Sequence, residues 1–351
     1  MKHLLDDKEY VRSHDRGDML SVLRHFPSSS RKALYLADEL DLDFMPKKII
    51  SIVVAGMGGS AIGGILLKDW LRDVSKTPIY VSRKYRLPTW VNDSILIYAV
   101  SYSGNTEETL SQYRQAVNIG CPLVCFCSGG KLSQNASIRN IPYIKFPEGY
   151  QPRAAIAFQF FGLASVTNNL GIISNEIWEE VEEAISVAEG LSKEMDPRTP
   201  LDSNPGKDLA EGIMGYTPYV YGSSLHEGVA YRYSTQFNEN SKSPAYSSFF
   251  PEAFHNSIMA REAPPGLLKN ACAVIINDPH EEEALAAKID KFTKLLEERF
   301  GKVVKIEARG EGRLARMISA LYIGDFASAY LGILYGKDPS TTESISTLKK
   351  I

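Results

Sequence analysis

Two short segments of this chain combine glycine and hydroxyl residues in a pattern suited to holding a small anion. The first is the glycine-rich run Gly56–Gly64, which contains Gly59 and Ser60, and the second is Ser101–Thr106, which contains Ser103. Each run follows an apolar stretch that predicts a buried strand and precedes a stretch that predicts a helix. A helix start attracts anions through its free N–H groups, and glycine lets the backbone approach closely. Because neither run contains Lys or Arg, a monophosphate fits better than a triphosphate with Mg²⁺.

Each of the two runs also fits a different kind of structure. Ser101–Thr106 suits a helix cap, with Glu107 and Glu108 in the first helical turn. Gly56-Met-Gly-Gly-Ser-Ala61 fits the G-x-G-x-x-A fingerprint of dinucleotide-binding folds, and Arg83 would suit a 2′-phosphate. We favour a phosphate site because the second run holds more hydroxyls and glycine than one cap requires. A dinucleotide fold, moreover, does not need that run, and the Gly-Lys-Ser/Thr of a P-loop is absent.

Three ionisable residues stand in unusual surroundings. Arg153 begins a largely apolar stretch that predicts a buried helix, where the ordinary alternative is an interdomain salt bridge. Glu239 ends an amphipathic run and precedes a Ser/Pro-rich loop, although most glutamates are simply solvated. His255 follows an apolar run, and its ordinary alternative is a core histidine with one hydrogen bond. With an unperturbed pKa near 6.5, histidine suits proton transfer at neutral pH.

Composition excludes several classes of protein. The chain has 351 residues and a net charge of −3, which argues against a nucleic-acid binder driven by bulk charge. Its charged start does not resemble a signal peptide, and we expect no membrane span and a cytoplasmic location. Because no second cysteine pair stands at zinc-ligand spacing, we expect reduced structural thiols rather than a metal site. The cysteines are Cys121, Cys125, Cys127 and Cys272.

Short apolar strands alternate with helical stretches, and the order of these elements repeats in the second half of the chain. This alternation predicts two doubly wound α/β domains with parallel sheets. The proline-rich stretch 194–206 suits a linker. The predicted segments are N-terminal helices at 1–45, a first domain at 46–195, a second domain at 196–336 and a C-terminal helix at 337–351.

These motifs together resemble the sugar isomerase (SIS) superfamily and, more narrowly, the bifunctional phosphoglucose/phosphomannose isomerases. The match spans nearly the whole chain and keeps the order of the family's motifs. The serine-rich run marks only the superfamily, whereas the Pro-Arg-Ala-Ala, Glu and His segments mark the isomerases. The matching segments are Gly56–Gly64, Ser101–Thr109, Pro152–Ala155, Asn238–Asn240, Glu252–Asn256 and Ile345–Lys349.

The resemblance implies an aldose–ketose isomerisation of sugar 6-phosphates through a cis-enediol, without a metal or cofactor. Glu239 would then be the base that moves a proton between adjacent carbons, and Arg153 would face those carbons. His255 and Lys349 would open the sugar ring, although Lys350 competes with Lys349. Thr342 would leave room for the enediol to rotate, which gives mannose 6-phosphate as well. The phosphate would be held by Ser60, Ser101, Ser103 and Thr106.

The resemblance also implies a homodimer with the active site between the two domains at the subunit interface. His255 would then act in the partner's site, and the chain would need neither nucleic acid nor a membrane. One alternative is a non-catalytic SIS module that senses a sugar phosphate, and another is an amino-sugar phosphate isomerase or synthase. The Glu239–His255 pair favours an enzyme over the sensing module. A synthase would need an N-terminal cysteine nucleophile, which the start Met1-Lys-His-Leu does not predict.

Overall fold

The computed structural model describes residues 3–42, 45–46, 48–264 and 266–348. The chain divides into two compact units. The first unit is Phe26–Val181, and the second unit combines Met1–His25 with Glu182–Ile351. Each unit contains a parallel sheet.

The strands are β1 Ser51–Gly56, β2 Ile79–Ser82, β3 Ile95–Val100, β4 Leu123–Cys127, β5 Tyr143–Lys145, β6 Thr217–Gly222, β7 Tyr246–Phe249, β8 Ala271–Asn277 and β9 Lys302–Glu307. The helices are α1 Lys8–His14, α2 Met19–Arg24, α3 Phe26–Asp38, α4 Gly59–Leu71, α5 Glu107–Ile119, α6 Gly130–Ile138, α7 Ile156–Asn169, α8 Asn175–Trp178, α9 Glu180–Glu194, α10 Pro205–Gly212, α11 Glu227–Gln236, α12 Glu283–Glu297, α13 Arg313–Leu334 and α14 Glu343–Leu348.

The first unit is built on a parallel sheet with the strand order β2-β1-β3-β4-β5. Its strands are apolar runs because helices cover both faces of the sheet. Val53 lies in a core that includes Leu110 and Tyr113 of α5, whereas a Cβ added to Gly64 of α4 would lie 2.6 Å from the neighbouring Val54. Successive residues of β1 therefore face opposite helical layers, as the strand period of two requires.

The second unit has a parallel sheet with the order β7-β6-β8-β9. Tyr221 and Ile275 pack with Phe292 of α12 in one hydrophobic core. The central helix α13 packs against both α10 and α11. In the described residues, α13 alone is long and apolar enough to cross a membrane by length and composition, a match that was not predicted from the sequence. Its whole apolar window is buried inside the protein, as in the core helix of a globular domain.

The α/β fold with two parallel sheets is confirmed. The edge strand β7 falls in the region predicted as a Ser/Pro-rich loop, and it escaped notice because it is short and its residues 246, 247 and 249 are exposed. Described Cys121, Cys125, Cys127 and Cys272 are free thiols, and burial raises the pKa of Cys127 to about 11.

The two compact units divide the chain at other positions than the predicted segments. The predicted N-terminal segment 1–45 is shared between the units, which part between His25 and Phe26. The proline-rich stretch 194–206 lies inside the second unit rather than between units. It is held there because Met195 is fully buried and its carbonyl oxygen accepts a 2.7 Å hydrogen bond from Tyr330. Asn204 caps α10, and Pro205 takes the first helical position, where proline is well tolerated.

Candidate active site

The two glycine- and hydroxyl-rich runs, Gly56–Gly64 and Ser101–Thr106, lie beside each other at the topological switch point of the first sheet. The strands β1 and β3 are neighbours, and β2 lies on the far side of β1. The chain therefore leaves β1 and β3 toward opposite sides of the sheet, which opens a crevice at their carboxyl ends. Gly56 ends β1 just before α4, and Val100 ends β3 just before Ser101.

The two runs are joined by a direct hydrogen bond. The backbone N–H of Tyr102 donates to the Ser60 hydroxyl at 3.1 Å, although the two residues are 42 positions apart in the chain. Within the second run, the Ser101 hydroxyl donates to the Thr106 hydroxyl at 2.8 Å. Ser60 and Ser101 are buried, whereas Ser103 is exposed and Thr106 is partly exposed. Two of the four candidate hydroxyls are therefore buried within the fold, and the other two are accessible to solvent.

Glycine is required where the two runs meet their neighbours. A Cβ on Gly59 would lie 2.9 Å from the backbone nitrogen of Arg153. Gly104 has φ +67°, and a Cβ there would lie 1.8 Å from the carbonyl oxygen of Gly129. Each contact involves backbone, which cannot move aside like a flexible side chain. The first turn of α4 is therefore fixed against the 3-10 turn that carries Arg153.

Arg153 is 3% exposed, although it carries a permanent charge. It lies in the 3-10 turn Pro152–Ala155, directly before the buried helix α7. The next polar residue of that helix, Gln159, is fully buried. Its side-chain amide donates to the Ser60 hydroxyl at 3.4 Å and to the Pro152 carbonyl oxygen at 3.2 Å. Gln159 therefore links the Arg153 turn to the run that contains Ser60. It was not predicted from the sequence, although a polar residue in an apolar helix is a detectable signal.

A cavity of about 410 Å³ opens beside the serine-rich run. Tyr102 holds its wall, because its phenol donates to the Pro147 carbonyl oxygen at 2.6 Å and accepts from the backbone N–H of Tyr150 at 2.9 Å. The Ser128 turn also contributes and was not predicted, although it repeats the same order of strand, serine, glycine and helix. The lining is Tyr102, Ser103, Ser128, Gly129, Gly130, Glu148, Gly149, Tyr150 and Pro152.

Glu239 lies in the second unit, in the π-helical turn Phe237–Ser241 that continues α11. Such turns are rare and often occur at functional sites. The turn is fixed against α13, since Asn240 donates to the Ser328 hydroxyl at 2.9 Å and Ser241 donates to the Ser328 carbonyl oxygen at 2.7 Å. Phe237 and Asn240 are fully buried, whereas Glu239 is partly exposed. A turn that these hydrogen bonds fix in place therefore carries a partly exposed glutamate.

His255 is exposed, rather than a core histidine. It follows the 3-10 turn Glu252–Phe254, and its backbone N–H donates to the Glu252 carbonyl oxygen at 2.9 Å. The Glu252 carboxylate accepts instead from the Asn256 amide at 2.7 Å. The ring is therefore accessible on the surface of the single chain.

The C-terminal candidates lie at the edge of the described residues. Thr342 is partly exposed and precedes α14. Lys349 and its competitor Lys350 lie outside the described residues. In α14, Ile345 is 40% exposed and Leu348 is 70% exposed. Among the described residues, this short helix finds no apolar surface that would bury one of its faces.

The structure therefore groups the candidates by unit. The first unit brings together the two runs and the Arg153 turn at one sheet edge. The second unit holds Glu239, His255 and Thr342. The predicted roles of all these residues in binding and catalysis stay predictions.

Comparison with known proteins places the chain in a family. Residues 202–351 match the family model of the bacterial phospho-glucose isomerase C-terminal SIS domain. A bifunctional phosphoglucose/phosphomannose isomerase of Caldicellulosiruptor bescii is 36% identical over 332 residues, which cover 94% of this chain and 98% of that protein. A protein of the same name from Aquifex aeolicus is 35% identical over 316 residues, which cover 89% and 93% of the two chains.

A solved structure agrees on the fold. The C-terminal domain of glucosamine-fructose-6-phosphate aminotransferase from Francisella tularensis superposes with a TM-score of 0.71 at 18% identity, covering 92% of this chain and 98% of that one. At this identity the likeness shows the fold alone. Because its curated relatives are at least 35% identical over most of both chains, the chain belongs to the bifunctional phosphoglucose/phosphomannose isomerase family.

Proposed function

We propose that this protein interconverts glucose 6-phosphate, and also mannose 6-phosphate, with fructose 6-phosphate. Membership of an aldose–ketose isomerase family supports the reaction class. The observation that carries the proposal is the crevice between β1 and β3, where two hydroxyl-bearing runs meet through the Tyr102–Ser60 hydrogen bond. A sugar phosphate has the anionic end that this crevice suits.

The phosphate is bound by neutral donors in this proposal. Ser60, Ser101, Ser103 and Thr106 surround the crevice, and the N-terminus of α4 begins at Gly59. Backbone N–H groups at a helix start and the positive end of its dipole favour a phosphate dianion. Binding at this end leaves the reacting carbons free to meet other side chains.

Glu239 is the proposed base. It takes the proton from the carbon next to the carbonyl and returns it to the neighbouring carbon, because a cis-enediol keeps both carbons within reach of one carboxylate. The negative charge that develops on oxygen needs a fixed cation, and Arg153 supplies it. The burial of Arg153 supports this role, since a fixed charge away from water acts more strongly than a solvated one.

Ring opening precedes isomerisation, since sugar phosphates are mostly closed rings. His255 and Lys349 are the proposed groups that exchange protons with the ring oxygen and the anomeric hydroxyl. Thr342 lies beside the middle carbons and leaves space for the enediol to rotate. Reprotonation on the other face then gives mannose 6-phosphate. The reaction needs no metal in this proposal.

The proposed assembly is a homodimer with the active site at the subunit interface. The exposure of His255 in the single chain supports this arrangement, because the ring is available to a neighbouring subunit. We also propose a cytoplasmic enzyme that acts on soluble substrate.

The test is turnover of fructose 6-phosphate to both aldoses, measured with and without EDTA. The Glu239→Gln variant should bind the substrate normally and lose kcat by about three orders of magnitude or more, because it lacks the base. The control is Glu297→Gln, which changes an exposed glutamate of α12 and should leave kcat unchanged. A near-normal rate in Glu239→Gln would remove the proposed base, and loss of activity in EDTA would remove the metal-free reaction. Binding without any turnover in the unmodified protein would favour the sensing module.

A further inference from the structure

Lys242 follows the π-helical turn that carries Glu239, and its side chain turns back onto that turn. Its ammonium nitrogen lies 3.0 Å from the Glu239 carbonyl oxygen and 3.2 Å from that of Asn240. The same nitrogen lies 2.7 Å from the Asp338 carbonyl oxygen and 3.3 Å from that of Pro339. A lysine ammonium has three N–H donors and no acceptor. It is therefore well matched to a group of carbonyl oxygens, and it reaches a segment that begins 96 residues further along the chain.

Asp338 and Pro339 begin the C-terminal arm of the chain, which we define as residues 338–348. Asp338 shapes its first turn, since its carboxylate accepts from the Ser340 backbone N–H at 2.8 Å. The arm then passes Thr342 and ends, among the described residues, in the exposed helix α14. No residue of α14 is buried, so apolar packing within the chain does not hold this helix. The contacts at the first turn of the arm therefore determine where it starts.

The backbone conformation of Lys242 supports a specific role for its side chain. Lys242 has φ +55°, in the left-handed region. This conformation is unfavourable for side chains with a Cβ, and the position after a helix end normally favours glycine or asparagine. A lysine there carries a backbone cost that glycine would avoid. Its four carbonyl contacts are the feature that glycine could not supply.

We propose that Lys242 is a positioning residue that couples the Glu239 turn to the C-terminal arm carrying Thr342. This inference rests on the proposed function, because it assumes that Glu239 and the arm act on one substrate. By binding the carbonyl oxygens of both segments, the ammonium fixes the base relative to Thr342. It touches no reacting atom itself. Since the phosphate crevice belongs to the other unit, loss of this coupling should lower kcat more than it raises KM.

The first test removes the donors while keeping most of the side chain. Lys242→Met should lower kcat for fructose 6-phosphate by about 10- to 100-fold, because a misplacement of about 1 Å at a reacting centre has an effect of this size. KM should stay within about twofold. Lys242→Arg keeps a charged donor with another geometry and should recover part of the rate. Unchanged kcat in Lys242→Met would overturn the proposal.

The second test separates the side chain from the backbone. Lys242→Gly relieves the left-handed backbone and removes the ammonium, so we expect thermal stability to be kept while kcat falls as in Lys242→Met. The matched control is Asn140→Gly in the first unit, since Asn140 has φ +54° and is exposed. It should leave kcat unchanged. A full rate in Lys242→Gly would show that the ammonium is dispensable and would overturn the proposal.

Hydrogen exchange distinguishes failure of this inference from failure of the proposed base. In Lys242→Met, the amides of residues 238–241 and 340–348 should exchange faster than in the unmodified protein, whatever the catalytic role of Glu239. Unchanged exchange in both segments would overturn the coupling. If Lys242→Met shows faster exchange but unchanged kcat, and Glu239→Gln is inactive, only the positioning role of Lys242 would be overturned. Full activity of Glu239→Gln would instead remove the base on which the proposed function depends.

Discussion

The carboxyl ends of β1 and β3 in the first unit can be compared with those of β6 and β8 in the second unit. Both pairs lie at a topological switch point, since β2 and β7 extend the sheets on the far sides of β1 and β6. Both first strands end in glycine followed closely by serine. The first switch point bears hydroxyls and no charged side chain in its two runs. The second contains Ser223 and His226 after β6 and Asp278 after β8, all of them buried.

The second switch point is filled by an anion of the chain itself. The Asp278 carboxylate lies 2.8 Å from Arg316 Nε and 3.7 Å from His226 Nδ1. The carboxylate thus occupies the kind of place where, in our proposal, the first switch point receives a phosphate. Topology provides a crevice at this edge of a parallel sheet. The side chains around it determine whether a carboxylate of the chain occupies the crevice or whether it stays open to a ligand.

The largest expected effect is a loss of protein stability when the ion pair at the second switch point is removed. Asp278→Asn should lower the free energy of unfolding by about 3 kcal/mol, because it leaves buried Arg316 without its carboxylate. Urea denaturation measures this change. The control is Asp290→Asn, which removes an exposed ion pair with Lys305 and should change the free energy by less than about 1 kcal/mol. A stable Asp278→Asn variant with a strongly raised KM would mean that this switch point binds substrate.

The next prediction compares Gly59, which follows β1, with Gly222, which ends β6. Gly59→Ala should lower kcat/KM by about 100-fold, because its Cβ would push against the Arg153 turn. Gly222→Ala should instead lower the melting temperature, since its Cβ would lie 2.3 Å from the His226 carbonyl oxygen. Steady-state kinetics and thermal unfolding of both variants measure the contrast. Equal losses of activity per folded molecule would contradict it.

A smaller effect is expected from single hydroxyls. Ser103→Ala should raise the KM for fructose 6-phosphate by about tenfold, which is the usual contribution of a hydrogen bond to a charged group. The matched variant Ser223→Ala removes a hydroxyl at the second switch point and should leave KM unchanged. Inhibition by inorganic phosphate gives an independent measure of the same site. If Ser223→Ala raised KM and Ser103→Ala did not, the second switch point rather than the first would bind the phosphate.

The smallest expected effect is the change in the free energy of unfolding per pH unit that His226 causes. Burial lowers the pKa of its ring, and the Asp278 charge and a hydrogen bond with the Arg316 backbone only partly oppose it. The charges of Arg316 and Arg313 lower the pKa further. The folded protein therefore binds fewer protons than the unfolded chain just below the unfolded pKa. The stability contributed by the neutral ring is complete above about pH 6.5 and is lost as the pH falls below it, with a slope of at most about 1.4 kcal/mol per pH unit. His226→Gln should flatten this slope between about pH 6.5 and 5 in urea denaturation, and an unchanged slope would contradict the assignment.

Several features could be predicted because they depend on local patterns. The apolar runs ending at Ala55 and Val100 predicted the strands β1 and β3, and the runs after them predicted the starts of helices α4 and α5. The strand β7 itself could not be predicted, since an exposed edge strand has no apolar run to reveal it. Gln159 was missed for another reason, because its contacts with Ser60 and Pro152 depend on how α7 packs.

The sequence by itself determined the order of the strands and helices apart from β7, the two glycine- and hydroxyl-rich runs and the family, because each depends on residue type and spacing along the chain. Tertiary structure alone decided which segments meet. It placed the Ser60 run against the Ser101 run, filled the second switch point with Asp278, and brought Lys242 to the carbonyl oxygens of Asp338 and Pro339. These contacts join residues far apart in the chain, and their geometry follows from sheet topology and helix packing, which spacing along the sequence does not specify.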